Sequence, residues 1–196
     1  LRIRRFVAAA VLAAIVISAS TVVHAQELRR LSVGLLPVFY AFDADYFGIE
    51  AGGGADLVLR YEIKQNIFFE NRLGGYAGKQ GEHNITGFNG QIGATAFLPY
   101  WIPWRPSARF ALALMTANPV ISDPVEEFRP SQTVFYLVMG AGITRSITAD
   151  FQIEAGVDFL FTPYSYNIYE FYRQYVEVTE ARFTHFAVFI GASYTF

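Results

Sequence analysis

The sequence predicts an all-β fold: an eight-stranded antiparallel up-and-down barrel that crosses a membrane, after a cleaved N-terminal signal peptide. Three observations point to it. Stretches of about ten residues alternate apolar with polar side chains at period two, and the connections between them alternate long with short. The last stretch, His185 to Phe196, keeps Phe186, Val188, Ile190, Ala192, Tyr194 and Phe196 on one face, so the chain ends on an aromatic. A final strand so apolar needs lipid outside it and a first strand beside it, because an open edge leaves backbone groups unsatisfied.

The N-terminus supplies the route to a membrane. Arg2, Arg4 and Arg5 precede an apolar run from Phe6 to Ala19, and Val23-His24-Ala25 offers a small-residue cleavage site before Gln26. This is the pattern of a secretory signal. The run is too short for a spanning helix, which needs roughly 20 residues. The expected domains are therefore 1–25, a signal peptide, and 26–196, one barrel.

Composition narrows the function classes. The chain is 53% hydrophobic and 17% aromatic. Beyond the signal it has no 18-residue apolar run free of charge, so any crossing is by strands. All 17 acidic residues but only twelve of the 15 basic ones lie after residue 25, a net charge of −5. A nucleic-acid partner is disfavoured, since phosphate binding needs a basic surface. Cysteine is absent, which excludes disulfides, thiolate metal sites and lipid attachment through an N-terminal Cys. No cofactor is expected.

The clearest internal strand is Ala149 to Phe161. Ala149, Phe151, Ile153, Ala155, Val157, Phe159 and Phe161 face one way; Asp150, Gln152, Glu154, Gly156, Asp158 and Leu160 face the other. Ala55 to Ile63 repeats the design, with Asp56, Val58, Arg60 and Glu62 opposite Ala55, Leu57, Leu59, Tyr61 and Ile63. Phe88, Ile92, Ala94, Ala96 and Leu98 likewise oppose Asn89, Gln91, Gly93 and Thr95. Ile67 to Ala77 sets Glu70, Arg72, Gly74 and Tyr76 against Phe69, Leu73, Gly75 and Ala77, with Asn71 an exception on the apolar side. Arg109 to Thr116 and Thr133 to Ile143 are apolar on both parities, and Leu31 to Tyr40 carries Pro37, expected near a strand end or at a bulge.

With the N-terminus inside, the outer connections are about 41–49, 78–85, 117–132 and 162–180. The inner ones are 64–66, 99–106 and 144–148. Long loops out and short turns in is the bacterial pattern. The longer inner connection, with Pro99, Tyr100, Trp101, Pro103, Trp104 and Pro106, reads as an inner aromatic girdle. Tyr40, Phe42, Tyr46 and Phe47 are expected at the outer girdle, and Tyr164, Tyr166, Tyr169, Phe171 and Tyr172 at or above it.

On these features the mature chain resembles the small eight-stranded outer-membrane β-barrels, the group of the OmpA membrane domain and OmpX-like proteins. The closing GASYTF, with Tyr194 and Phe196, looks like the carboxy-terminal signal that the barrel-assembly machinery reads in that family. The resemblance implies a bacterial outer-membrane location and, as partners, outer-membrane lipid and lipopolysaccharide, that machinery, and an extracellular ligand met through the outer loops. The barrel is expected to be a monomer.

The register turns nine charged residues inward: Asp56, Arg60, Glu62, Glu70, Arg72, Arg109, Asp150, Glu154 and Asp158. An eight-stranded barrel is just wide enough to be filled by side chains, so these must pair. A structural ion-pair plug is one reading and a gated ion path the other, because six acids face three arginines. No catalytic residues are expected. An acyl hydrolase needs Ser beside His, yet His83 has no nearby Ser and His185 lies roughly 27 Å along the strand from Ser193 at about 3.3 Å per residue. A partner from another strand, such as Ser165, stays open. Asp43, Asp45 and Gly48 match only the start of a calcium loop. The expected role is structural or surface-interacting, without turnover. The alternatives are a narrow channel, an enzyme on envelope lipid, and a secreted lipocalin-like barrel whose register would be inverted.

Overall fold

Period-two alternation lets a strand bury one face and leave the other outside, and this chain uses it eight times. A computed structural model describes residues 30–42, 49–80, 83–98, 103–119, 132–163, 166–171, 176–181 and 184–196. Its strands are β1 (Leu31–Phe42), β2 (Ile49–Lys64), β3 (Ile67–Gln80), β4 (His83–Phe97), β5 (Arg105–Pro119), β6 (Gln132–Ser146), β7 (Phe151–Phe161), β8 (Tyr166–Phe171), β9 (Val176–Ala181) and β10 (Thr184–Thr195). Strands β1 to β7 and β10 form a closed antiparallel barrel, and β8 pairs with β9 in a separate ribbon. The expected signal segment lies outside the described residues.

The closing pair is β1 with β10, Val33 opposite Tyr194 and Phe39 opposite Val188. Stepping from strand to strand at right angles, Ser32 leads through Arg60, Glu70, Gly93, Ala111, Val138, Leu160 and His185 to Phe42. The circuit returns ten residues further along β1, and this stagger tilts the strands. An even stagger also closes the barrel without exchanging its faces.

The outer surface is a belt of large apolar side chains. Leu35, Phe39, Phe110, Leu112, Met139, Val157, Phe159, Val188 and Ile190 are all exposed, Phe39 by 63%. Inside, a charged layer lies toward the short turns, and an apolar cluster including Val38, Met115, Val138 and Leu160 fills the lumen toward the long loops. That cluster explains the two strands apolar on both parities. Ala111, Ala113 and Met115 in β5, and Val134 and Val138 in β6, point inward and are apolar.

Four expectations about the strands need correction. Pro37 sits in the middle of β1, facing outward, and there is no bulge: pairing with β10 skips Leu36 and Pro37 and resumes in the same register at Val38. Proline lacks the N–H the ladder needs, while closure fixes the register on both sides. Tyr40 is not in the outer girdle; it is buried in the lumen. The 78–85 connection is largely strand, since Gly78 pairs with Ile85 and Gln80 with His83. A 14-residue strand tilted by about 40° rises roughly 35 Å, past an apolar band of roughly 25 Å. Its polar end therefore pairs above the band. Pro106 similarly belongs to β5, not to the turn before it.

The short-turn end is closed by backbone bonds. Asn66, at φ 67°, makes the two-residue β2–β3 turn and accepts from the Phe97 N–H at 2.8 Å. The Thr195 N–H donates to Asp150 and the Phe196 N–H to Leu31, each at 2.8 Å.

Candidate functional site

Alternation carries seven of the nine sequence-selected charges to the lumen, from four strands. Asp56 and Arg60 come from β2, Glu70 and Arg72 from β3, Arg109 from β5, and Glu154 and Asp158 from β7; all are buried. The other two are elsewhere. Glu62 is half-buried beside the β2–β3 turn, where its carboxylate accepts the Asn66 N–H at 3.1 Å. Asp150 is exposed in the turn before β7, because that strand starts at Phe151 rather than at Ala149.

Glu70 is the hub. Its Oε1 accepts from Arg72 Nε at 2.8 Å and Arg109 Nε at 2.5 Å; its Oε2 accepts from Arg60 Nε at 2.5 Å and the Thr95 hydroxyl at 2.9 Å. Arg60 then spans the lumen to Glu154, Nη1 and Nη2 donating at 2.8 and 2.7 Å. Arg72 and Arg109 both donate to Asp158 Oδ2, at 3.1 and 2.8 Å, and Arg109 also donates to the Gln91 side-chain oxygen Oε1. Three arginines thus meet three carboxylates in six ion pairs. Forked guanidinium–carboxylate contacts of this kind hold geometry as well as charge.

Asp56 is the fourth buried acid and stands outside those pairs. It accepts from Asn89 Nδ2 at 3.2 and 3.4 Å, and the same nitrogen donates to the Tyr40 hydroxyl at 3.0 Å. The buried charges therefore leave an excess of one acid, where the sequence register had given six acids to three arginines. Glycines make room for the carboxylates. A Cβ at Gly74 would strike Asp56 Oδ1, and one at Gly140 would strike Asp158 Oδ1.

Aromatic rings bound the charged layer. Arg72 lies over the Phe189 ring at 4.5 Å, and Phe97 has Arg105 at 4.7 Å and Arg60 at 5.8 Å. Phe68 packs edge-on against Phe97 at the short-turn end, where Arg105 also reaches the Leu98 carbonyl and the Asn66 side chain. Toward the loops, the Tyr136 hydroxyl and His185 Nε2 are 2.6 Å apart. The sequence placed His185 inward but gave no sign of Tyr136, which sits in an all-apolar run. Asn89, Gln91 and Thr95 were on inward parity, and their number of contacts with the acids and Arg109 was not legible from parity.

The remaining sequence motifs are outside this site. Asp43, Asp45 and Gly48, with Tyr46, Phe47, Tyr100, Trp101, Tyr164, Ser165 and Tyr172, lie outside the described residues. Tyr194 and Phe196 lie outward at the short-turn end with their rings 5.0 Å apart, Phe196 73% exposed.

No family model and no curated protein matches the chain. Solved structures do. Neisserial surface protein A (NspA) aligns with a TM-score of 0.61 at 13% identity, covering 86% of this chain and 97% of that one. OprG from Pseudomonas aeruginosa aligns at 0.59 with 10% identity, over 86% and 95%. Ail, the attachment invasion locus protein of Yersinia pestis, gives 0.53 with 15% identity, over 86% and 97%. The chain has the fold of the small eight-stranded outer-membrane β-barrels.

Proposed function

We propose that this chain is an integral outer-membrane barrel that anchors outer loops at the bacterial surface, its lumen plugged by the Glu70-centred ion pairs. The observation that carries the reading is the charged layer. Six buried pairs draw β2, β3, β5 and β7 together across the lumen, leaving no row of side chains of one sign for an ion to follow. The apolar layer toward the loops adds a second obstruction. The exposed belt supports lipid as the outer solvent, and the fold likeness supports the outer membrane as its place.

Turnover has little support. His185 Nε2 is engaged with the Tyr136 hydroxyl at 2.6 Å. The outer connections, including the β8–β9 ribbon, are the parts open to an extracellular ligand or to lipopolysaccharide. Tyr194 and Phe196, outward on the closing strand, suit the segment the assembly machinery reads.

Planar-bilayer recording tests the plug. The purified barrel is expected to give no unitary conductance steps, and steady steps from the wild-type chain would establish the channel alternative. Fractionation tests the location. The protein is expected in outer membranes with heat-dependent gel migration, whereas soluble periplasmic protein without that shift would support the secreted barrel.

A further inference from the structure

The outward face of β3 reads Ile67, Phe69, Asn71, Leu73, Gly75 and Ala77, and Asn71 breaks it. Its ladder neighbours, Leu59 and Ile92, are also outward and apolar. Asn71 lies four residues beyond Ile67. At about 3.3 Å per residue and a tilt of about 40°, that is roughly 10 Å into an apolar band roughly 25 Å tall. Every other outward polar side chain described in a barrel strand lies within three residues of a strand end, as Lys64, Thr86, Thr116 and Arg145 do. The Asn71 amide makes no hydrogen bond within the described barrel. In hydrocarbon, water does not take its place, and an unbonded amide is costly.

We propose that the β2–β4 face is a two-fold contact with a second copy of this chain, joined through Asn71. This rests on reading the belt as lipid-facing. Copies inserted in one orientation hold each residue at one depth, so a two-fold axis along the membrane normal sets Asn71 against Asn71. An amide carries both donor and acceptor, and two such groups satisfy each other with reciprocal bonds. The surface beside it is open. A Cβ at outward Gly75 would come no nearer than 3.6 Å to the Gly87 carbonyl, an ordinary van der Waals contact. Packing within the barrel does not require glycine there, and its absence of side chain leaves a depression for a partner's side chain. The monomer expected from the sequence gives way to a dimer.

The cysteine-free sequence makes the test direct. Ile92→Cys keeps Asn71 and stands beside it; Val157→Cys is outward on β7, four strands around the barrel from Asn71 on β3. Oxidation of full-length protein in outer membranes is expected to link Ile92→Cys into a dimer and to leave Val157→Cys monomeric. Adding Asn71→Leu should lower the linked fraction at least tenfold while heat-modifiability shows the barrel folded. Equal linking of both cysteine variants, no linking at Ile92→Cys in folded membrane protein, or linking unaffected by Asn71→Leu would each overturn the dimer. Soluble protein without heat-modifiability would instead overturn the lipid-facing reading beneath it.

Discussion

Arg60 on β2 and Glu154 on β7 meet across the lumen as a fork, Nη1 donating to Oε1 and Nη2 to Oε2, with Arg60 Nε held by Glu70. Two barrel strands, β1 and β10, stand between them on the wall. The pair therefore ties together segments that no hydrogen-bond ladder joins.

Removing one partner strands the other. Arg60→Met leaves Glu154 buried without a cation and is expected to cost about 3–5 kcal/mol. Arg60→Met with Glu154→Met removes equal and opposite charge, and most of that loss should return. Urea unfolding in detergent or lipid, followed by gel migration, measures both.

The two acids laid against glycine predict a contrast between inside and outside. Gly140→Ala forces Asp158 off the position where it meets Arg72 and Arg109, a cost of about 1–3 kcal/mol. Outward Gly75→Ala has room, and by narrowing the unfolded ensemble it should be neutral or stabilise by up to about 1 kcal/mol. Equal destabilisation by both, in the same unfolding assay, would contradict the assigned faces.

Much of this wall was legible in the sequence because β7 and β2 pair an apolar outside with a charged inside, so parity alone assigns Asp158, Glu154 and Arg60. Parity weakens where both solvents are apolar. In β5 and β6 the inward Ala111, Met115 and Val138 resemble their lipid-facing neighbours, and register there depends on closure with other strands. Tyr40 misled for a related reason: its ring suits an interface, yet its hydroxyl receives a bond from Asn89 inside. The polar stretch from Gly78 to Ile85 has a loop's composition and a strand's pairing, because above the lipid a strand no longer needs an apolar face. Which acid meets which arginine was illegible, since β2 and β7 become neighbours across the lumen only when the ends join.

A charge on the outward face of β7 tests the lipid contact. Val157→Arg, with Val188 and Ala141 beside it, should lose about 2–4 kcal/mol if near the midplane. Refolding into lipid vesicles with wild-type stability would contradict a lipid-facing position.

Deleting Phe196 removes an exposed aromatic that packs with Tyr194 and the N–H that bonds Leu31. Outer-membrane yield in cells is expected to fall several-fold, with a smaller change in the stability of protein refolded in vitro. Normal yield would remove Tyr194 and Phe196 as an assembly signal.

The most direct measurement is a nitroxide scan along Phe151 to Phe161 in lipid, one cysteine at a time in this cysteine-free chain. Oxygen collision should peak at residues 151, 153, 155, 157, 159 and 161 and fall at the even positions between them, a period-two trace of lipid outside and packed charge within. Peaks at the even positions, or water-soluble chelate reaching them as freely as it reaches the loops, would contradict a lipid-facing wall around a plugged lumen.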